Sequence, residues 1–361
     1  MNAGQQGAGA VFAEIARRGI RCCLWRGSVR VDRALAGASD FDLLVDPEHA
    51  TALAGVFLAA DCRRARTVRS DPGLEDYFGL AGPTGPLLHF HVHYRLVAGE
   101  PGLNRFHLPW ERQVLDSRTR LGDGPILTAD PVIESALLLV RCCLQLRLRD
   151  RLFGAPGGRR LVAKVASDLR ALLPHDRAAA ALALLCDWLG GEVARRGLDP
   201  GAGFRLADLW RLRRIAVAAL RAEAATSGAA AALRMWSREF RAGMRRLARR
   251  WQLPLLPSRG SACGGMLVAL AGPPATTRGL ADDFDRLFGA KFDVVRVRQL
   301  DGKMARALRA RSRGMLVIGE ATAATPSWPP GAAPDLIVRA DPGAPGDSLL
   351  GELVRQVWRR F

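Results

Sequence analysis

Apolar and polar residues change period along this chain, and the first third predicts helices that alternate with short strands. Apolar residues at helical spacing predict helices at Gly9–Arg18 and Pro47–Ala60. Short apolar or alternating runs predict three strands, at Cys22–Trp25, Phe41–Val45 and Leu87–Leu96. This alternation is typical of a mixed α/β domain.

From Pro131 onward the apolar pattern becomes helical over long stretches. Asp130 followed by Pro131 predicts a helix start, because aspartate caps a first turn and proline is favoured just inside it. We therefore expect a boundary between an α/β domain at residues 1–129 and a helical domain at residues 130–253. The helices predicted in this second domain are Glu134–Leu148, Leu161–Leu173, Arg177–Arg196, Leu206–Ala225 and Ala230–Trp251.

The C-terminal part returns to strands and helices after a linker rich in proline and glycine at residues 254–265. Apolar runs separated by helical segments indicate a parallel sheet, so residues 266–361 form a third predicted domain, again of the α/β class. Its predicted elements are strands at Met266–Ala271, Phe292–Val297, Met315–Ile318 and Leu336–Val338, a turn at Gly272–Gly279, and helices at Leu280–Phe288 and Ser348–Arg359.

Composition adds a strong positive charge to this picture. Of the 361 residues 49% are hydrophobic and 24% charged, as in ordinary globular proteins. The net charge of +18 comes from arginine, since the only lysines are Lys164, Lys291 and Lys303. Such a surface attracts nucleotides, phosphorylated glycans, nucleic acid or anionic lipid, although arginine used for solubility alone explains it as well. With 6% aromatic residues and no stacking pattern, nucleic acid is the least favoured partner.

Cysteine usage and apolar runs indicate the compartment. The seven cysteines include the adjacent pairs Cys22-Cys23 and Cys142-Cys143 in apolar runs, and no C-x-x-C occurs, so we expect reduced cysteines and no structural zinc. Neither a signal peptide nor an uncharged apolar run of membrane-spanning length is seen, so a cytoplasmic location is predicted. The arginine-rich helix at Ala230–Trp251 is compatible with peripheral contact with an anionic membrane and with a solvated linker helix.

Two aspartates spaced one residue apart carry the first candidate chemistry. Gly27-Ser28 follows an apolar run, and Asp40 and Asp42 open the next one. On a strand, residues two apart point to one face, so the two carboxylates would lie side by side. Like charges at that distance require a cation between them, and Mg²⁺ is the usual oxygen-bound ion. The Gly-Ser turn would offer backbone N–H groups to a phosphate beside that ion.

This Gly-Ser and Asp-x-Asp pattern resembles the polymerase-beta-like nucleotidyltransferase superfamily, over roughly residues 9–130. The likeness is closest to bacterial members that are fused to a kinase-like domain and linked to surface-polysaccharide gene sets, through the segments Leu74–Leu80 and Leu88–Val97. The resemblance implies that Arg26, Gly27 and Ser28 hold a nucleoside triphosphate. It also implies that Mg²⁺ or Mn²⁺ binds the two carboxylates, Asp40 and Asp42.

A strand with three alternating histidines follows. Alternation places His89, His91 and His93 on one face of Leu87–Leu96. The family resembled has a third carboxylate on this strand, and His91 stands at the equivalent position. A neutral imidazole can act as a general base near pH 7 but is a poorer Mg²⁺ ligand than a carboxylate. His91 is therefore a candidate catalytic base, and an ordinary polar strand face is the alternative.

Residues 266–361 resemble a thymidylate-kinase-like P-loop domain that has lost its phosphate-binding loop. A working loop reads G-x-x-x-x-G-K-[ST], because glycines let the backbone wrap the phosphates and lysine reaches the terminal ones. After Gly272 this chain has Thr277 in place of the second glycine, Arg278 in place of lysine and Gly279 in place of the hydroxyl. The resemblance implies a degenerate kinase-like domain without catalysis, in which Arg278 retains a charge for a phosphate.

Two functions are consistent with these patterns. The first is transfer of a nucleotidyl group from a nucleoside triphosphate to a hydroxyl or phosphate acceptor, with Asp40, Asp42 and His91 as the catalytic residues. The resemblance implies an acceptor in cell-surface glycan metabolism. The second is a catalytically inactive nucleotide-binding or scaffolding protein of a glycan-biosynthesis assembly, favoured by the absent third carboxylate and the altered P-loop.

Overall fold

The computed structural model describes twelve segments of the chain as a mixed α/β fold, with ten α-helices and both parallel and antiparallel strand pairs. The described residues are 3–65, 73–81, 87–99, 106–146, 156–173, 177–191, 206–226, 267–288, 294–297, 316–321, 334–339 and 346–360.

A seven-stranded mixed sheet forms the N-terminal part. The strands, in chain order, are β1 Cys22–Arg26, β2 Phe41–Val45, β3 Arg63–Ala65, β4 Leu74–Leu80, β5 Leu87–His93, β6 Val97–Ala98, β7 Phe106–His107, β8 Thr119–Arg120 and β9 Leu127–Thr128. Across the large sheet the order is β3-β4-β5-β2-β1-β9-β8, and β6 pairs with β7 separately. Strand β2 runs antiparallel to β1 and parallel to β5, while β4 and β5 are antiparallel.

Helices cover one face of this sheet. Phe41 and Phe90 project from neighbouring strands and stack at a centroid distance of 5.1 Å. They lie in one buried cluster with Phe12 and Phe57 of two covering helices. The helices on this face are α1 Ala3–Arg17, α2 Val31–Leu35 and α3 Ala50–Ala59, with short 3₁₀ helices at Ser28–Arg30 and Pro47–His49. The buried residues of α4 Glu111–Asp116 belong to the cluster on the other face.

A group of helices packs on the other face, beside β1. Trp25 and Leu44 share a buried cluster with Leu137 and Val140 of the first of these helices. That helix begins after Asp130, whose carboxylate accepts a hydrogen bond from the Val132 N–H, as predicted for a capped start with proline in the first turn. The four helices are α5 Pro131–Gln145, α6 Pro156–Leu172, α7 Ala178–Leu189 and α8 Leu206–Thr226.

The C-terminal part is a four-stranded, all-parallel sheet of order β11-β12-β10-β13. Its core includes Val268, Phe284 and Leu353, and Phe78 and Leu87 of the first sheet belong to the same buried cluster. The edge of the N-terminal sheet therefore packs against this region. The elements are β10 Leu267–Ala271, α9 Pro274–Phe288, β11 Val294–Val297, β12 Leu316–Ala321, β13 Leu336–Arg339 and α10 Gly346–Arg360.

The α/β class and most predicted elements are confirmed, with boundaries shifted by a few residues. The predicted turn at Gly272–Gly279 is wrong, because α9 begins at Pro274. Proline fits the first turn of a helix, and the Thr277 N–H donates to the Pro273 carbonyl in helical fashion (3.0 Å). The predicted helix Ala230–Trp251 and linker 254–265 lie outside the described residues. None of the helices in the described part of the chain has the length and apolar content needed to cross a membrane.

Candidate functional site

Four charged or titratable residues form a row across neighbouring strands of the N-terminal sheet. Arg26 on β1 pairs with Asp42 on β2, Asp42 pairs with His91 on β5, and His91 pairs with Asp76 on β4. A bulge in β1 between Leu24 and Arg26 sets the register that brings Arg26 opposite Asp42. Directly paired residues project on the same side of a sheet, so the four side chains of this row lie on the face opposite α1 and α3.

Asp42 is the centre of this row. Arg26 forms an ion pair with Asp42 Oδ1, and the same oxygen lies 3.3 Å from His91 Nδ1 and 3.4 Å from His93 Nε2. Burial would raise the pKa of Asp42, but the Arg26 charge and the hydrogen bonds to the two histidines outweigh burial and hold that pKa well below its usual value. Asp42 is thus a carboxylate, ready to bind a cation.

His89 bridges two further carboxylates. Its Nδ1 lies 2.9 Å from Asp40 Oδ1, and its Nε2 lies 2.8 Å from Asp76 Oδ1. Burial opposes the charged imidazole, yet these two hydrogen bonds and the two negative charges raise the pKa of His89 above its usual value. His89 therefore favours the doubly protonated form, in which both ring N–H groups donate to carboxylates.

His93 has the opposite protonation state to His89. Its side chain is 4% exposed, and its ring packs edge-on against Trp25 at a centroid distance of 5.1 Å. Burial lowers the pKa of His93 to about 4, with Asp42 opposing that shift and Arg26 adding to it. His93 is consequently a neutral imidazole at neutral pH.

The predicted Gly-Ser turn is present, and a carboxylate of the protein accepts the hydrogen bond that the turn donates. Gly27 has φ 81°, in the left-handed region that glycine adopts without a Cβ penalty, and the Arg30 N–H donates to its carbonyl (2.8 Å). The Ser28 N–H donates to Glu134 Oε1 of α5 (3.1 Å). Burial raises the pKa of Glu134, and its hydrogen bonds to Ser28 and Gly27 oppose that effect. Glu134 thus takes the place that a phosphate oxygen would need.

A cavity of about 300 Å³ lies between this edge of the sheet and helices α5 and α6. Two of its basic residues, Arg141 and Lys164, make no ion pair with any residue that the structure describes. The guanidinium carbon of Arg141 lies 4.9 Å from the centre of the Trp25 ring. Charged residues from the sheet, from the segment after β1 and from helices α5 and α6 line the cavity: Arg26, Arg30, Asp40, Asp42, Glu134, Arg141, Lys164 and Asp168.

The pKa values of these two cations reflect their surroundings. Burial, with Arg26 nearby, lowers the pKa of Arg141 to about 9, which leaves the group charged at neutral pH. Burial and Arg30 lower the pKa of Lys164. The two groups carry positive charge that an anionic ligand in the cavity would neutralise.

The structure therefore brings Arg26, Gly27, Asp40 and Asp42 to one cavity, as the sequence predicts. His91 contacts Asp42 but is not among the lining residues, and the Ser28 N–H is directed to Glu134. Sequence reasoning missed a second group of site residues. A carboxylate or guanidinium within an apolar segment is the signal that identifies them: Asp76, Glu134 and Arg141.

The second predicted site has a different geometry. Gly272 and Arg278 flank the first turn of α9, so the backbone between them is helical rather than wrapped around a ligand. The Thr277 side chain is buried, and its hydroxyl lies 3.3 Å from the carbonyl oxygens of Pro273 and Pro274, to which it donates. Arg278 is exposed. This segment lacks the cradle of backbone N–H groups that binds phosphates in a P-loop.

Comparisons of the chain with protein-family models, with curated proteins and with solved structures found no match.

Proposed function

We propose that the N-terminal cavity binds a nucleoside triphosphate with a divalent cation and that an acceptor hydroxyl or phosphate oxygen forms a bond to the α-phosphorus while pyrophosphate leaves, which transfers the nucleotidyl group to the acceptor. One observation carries the proposal: two carboxylates, Asp40 and Asp42, share a cavity with two cations, Arg141 and Lys164, that have no ion pair among the described residues. A polyphosphate held by a metal ion supplies both the cation and the anion that this arrangement requires.

Each group of residues has a distinct part in this proposal. Asp42 would hold the divalent ion, which neutralises phosphate charge and polarises the phosphorus centre. Arg141 and Lys164 would bind phosphate oxygens from the helical side of the cavity. Because the guanidinium presents several N–H donors in one plane, Arg141 fixes the orientation of a phosphate better than a lysine does.

Asp40 is the group best placed to accept a proton from the acceptor. Its side chain is 40% exposed and lines the cavity, whereas that of Asp42 is 15% exposed and already contacts three cationic or imidazole groups. His91, the base predicted from sequence, has one ring nitrogen directed at Asp42 and the other 3.5 Å from Asp76. We assign proton acceptance to Asp40 because it lines the cavity, whereas His91 does not.

The acceptor is proposed as an anionic or hydroxyl-bearing glycan. The resemblance of the sequence supports a glycan, and the net charge of +18 supports an acceptor that carries phosphate. Peripheral contact with an anionic membrane belongs to the same proposal, because it rests on the same charge.

Glu134 favours a second function, binding without transfer. Its carboxylate accepts a hydrogen bond from the Ser28 N–H, which a nucleotidyltransferase of this pattern would donate to the triphosphate. A nucleotide would then be held by the cations alone, in a geometry less constrained for reaction. The protein would act as a nucleotide-dependent scaffold in an assembly.

Incubation with nucleoside triphosphates labelled on the α-phosphate, Mg²⁺ or Mn²⁺, and extracted cell glycans separates the two functions. Transfer of label is expected with wild type, with a loss of about 100-fold or more in Asp42→Asn and Asp40→Asn. Asp32→Asn is the matched control, since Asp32 is an exposed acid on α2 outside the cavity. Nucleotide binding without label transfer supports the scaffold, and absence of any nucleotide binding contradicts both functions.

A further inference from the structure

Three side chains beside the cavity offer ligand atoms for one ion. Asp42, His91 and His93 each present one such atom, and these atoms lie within 4.8 Å of one another. His91 and His93 are two residues apart on β5, so both rings project from the same face toward Asp42 on the adjacent strand. The set joins one carboxylate to two imidazoles and differs from the Asp40–Asp42 pair that the sequence predicts as the metal site.

The distances within the set agree with ligation of a small cation. Asp42 Oδ1 lies 3.3 Å from His91 Nδ1 and 3.4 Å from His93 Nε2. Two ligands that each lie at about 2.0–2.1 Å from a tetrahedral ion are separated by roughly 3.4 Å. The two oxygen-to-nitrogen distances therefore suit ligands of one ion, and the two imidazole nitrogens, which lie within 4.8 Å of each other, would close around it.

The surroundings of His91 match those of metal-bound histidines. A ligating imidazole usually donates its other N–H to a carboxylate, which fixes the ring and the tautomer. With Nδ1 on the ion, His91 would direct Nε2–H to Asp76 Oδ1, at 3.5 Å. Asp76 is itself held by His89 (2.8 Å). His93 instead packs against Trp25, with the two rings nearly perpendicular.

We infer that Asp42, His91 and His93 form a binding site for one divalent first-row transition-metal ion, such as Zn²⁺, Co²⁺ or Mn²⁺, in preference to Mg²⁺. Imidazole nitrogen is a good ligand for these ions, whereas Mg²⁺ binds oxygen ligands and water. Asp42 lines the cavity, so an ion bound to Asp42 would lie beside the proposed phosphate site. The inference specifies the ion of the proposed function, but the site itself requires no nucleotide.

Arg26 gives this site a further property. Its guanidinium forms an ion pair with the same Asp42 oxygen, so metal and Arg26 compete for that oxygen. Entry of the ion would move Arg26 into the cavity, which it also lines, where it would meet a phosphate. Removing the Arg26 charge should therefore tighten metal binding while it weakens nucleotide binding, a pair of opposite effects that a purely structural arginine would not produce.

Titration of metal-free, full-length protein with Co²⁺ tests the site in the absence of nucleotide. We expect one Co²⁺ per chain, with visible ligand-field absorption typical of nitrogen and oxygen ligation, that is displaced by Zn²⁺ and resists a large excess of Mg²⁺. His91→Gln and His93→Gln should abolish the absorption, and Asp76→Asn should weaken binding by about 10–100-fold. His107→Gln, at an exposed histidine of β7, is the matched control.

Several outcomes would overturn the inference. They are an absence of Co²⁺ absorption in wild type, equal absorption in the two histidine variants, and displacement by Mg²⁺ as readily as by Zn²⁺. Because His93 is buried, folding of each variant is checked by far-ultraviolet circular dichroism, and Arg26→Met supplies a second test in which metal affinity should rise. If metal binds as expected but no nucleotide does, the metal site stands and the proposed function fails. If nucleotide binds only with Mg²⁺ and the two histidine substitutions do not change its affinity, the proposed function stands and the metal site fails.

Discussion

Two glycine-led segments follow buried strands in this chain, and the backbone takes opposite courses after them. After β1, Gly27 adopts a left-handed conformation with φ 81°, and a 3₁₀ helix points the Ser28 N–H at a carboxylate. After β10, Gly272 leads within two residues into α9, where the Thr277 hydroxyl donates to carbonyls of its own turn. The first segment presents a donor to another element, and the second satisfies its polar groups locally.

The two glycine-led segments also differ in the charged groups that surround them. Beside Gly27, Arg141 and Lys164 line a cavity and make no ion pair with described residues. Beside Gly272, Arg278 is exposed on a helix. A strand followed by a glycine and a helix is therefore not sufficient to form an anion site. A site also needs charged groups from other elements that converge on the glycine, and only the N-terminal segment has them among the described residues.

The largest expected difference between the two regions is in their response to acid. Every histidine of the chain lies before residue 176, so the C-terminal sheet has none. His93 has a pKa of about 4 when folded and an ordinary value of 6.5 when unfolded. The unfolded state therefore binds the extra proton between these values, and stability falls as pH falls from 6.5 to 4, by about 3 kcal/mol in total.

Hydrogen exchange of β5 and β10 in the presence of a chelator measures this difference. Protection of β5 should fall by about 2 kcal/mol between pH 6.5 and 5 after correction for intrinsic rates, while β10 changes little. The pKa of Glu134 is raised, so above its ordinary value of 4.5 Glu134 makes stability fall as pH rises, which is opposite to the effect of His93. The contribution of His93 is therefore taken as the difference between wild type and His93→Gln. The pKa of His89 is also raised, so His89 loses its proton above pH 6.5, outside this window. An unchanged slope in His93→Gln would contradict the assignment.

The second difference concerns ligand binding by the two arginines. Arg141→Met keeps the length of the side chain and removes its charge, so affinity for a Mn²⁺-nucleotide should fall about 30-fold, as expected for the loss of about 2 kcal/mol of charge-assisted hydrogen bonding. Arg278→Met should change the affinity by less than about twofold, because an exposed charge outside a cradle is screened by solvent. Isothermal titration calorimetry measures both.

Arg141→Lys sharpens this test, because it keeps the charge and loses the planar set of donors. An intermediate affinity indicates direct phosphate contact, and wild-type affinity indicates that charge alone is needed. Equal weakening by Arg141→Met and Arg278→Met would remove the distinction between the two regions.

The sequence allowed most of the fold to be predicted because its apolar periodicity is strong. Strand β2 was predicted at its observed bounds, Phe41–Val45, and the alternation of the three histidines on β5 agrees with the burial of Phe90 and Val92 on the opposite face. The predicted turn at Gly272–Gly279 is wrong because α9 begins at Pro274, and proline in the first turn of a helix is a local signal that the prediction did not use.

Site residues were predictable only where they lie close in sequence. Asp76 escaped prediction because its contact with His91 depends on the pairing of β4 with β5. Glu134 and Arg141 come from a helix more than 100 residues beyond Gly27, and no local pattern reports their distance from that turn. Their one signal was charge within the apolar face of α5, where burial requires each charged group to have a partner or a ligand.

The smallest expected effect is a change in unfolding free energy when one methyl group is added to each of the two segments. In Gly27→Ala the new Cβ meets no atom within 4 Å, so the cost is the left-handed backbone alone, about 1–2 kcal/mol of unfolding free energy. In Gly279→Ala the Cβ also meets no atom within 4 Å, but the residue lies inside α9, so the change should stabilise by about 0.5–1 kcal/mol. Urea denaturation measures both. The opposite signs follow from the turn after β1 and the helix after β10, whereas destabilisation by both changes would indicate that Gly279 lies outside the helix.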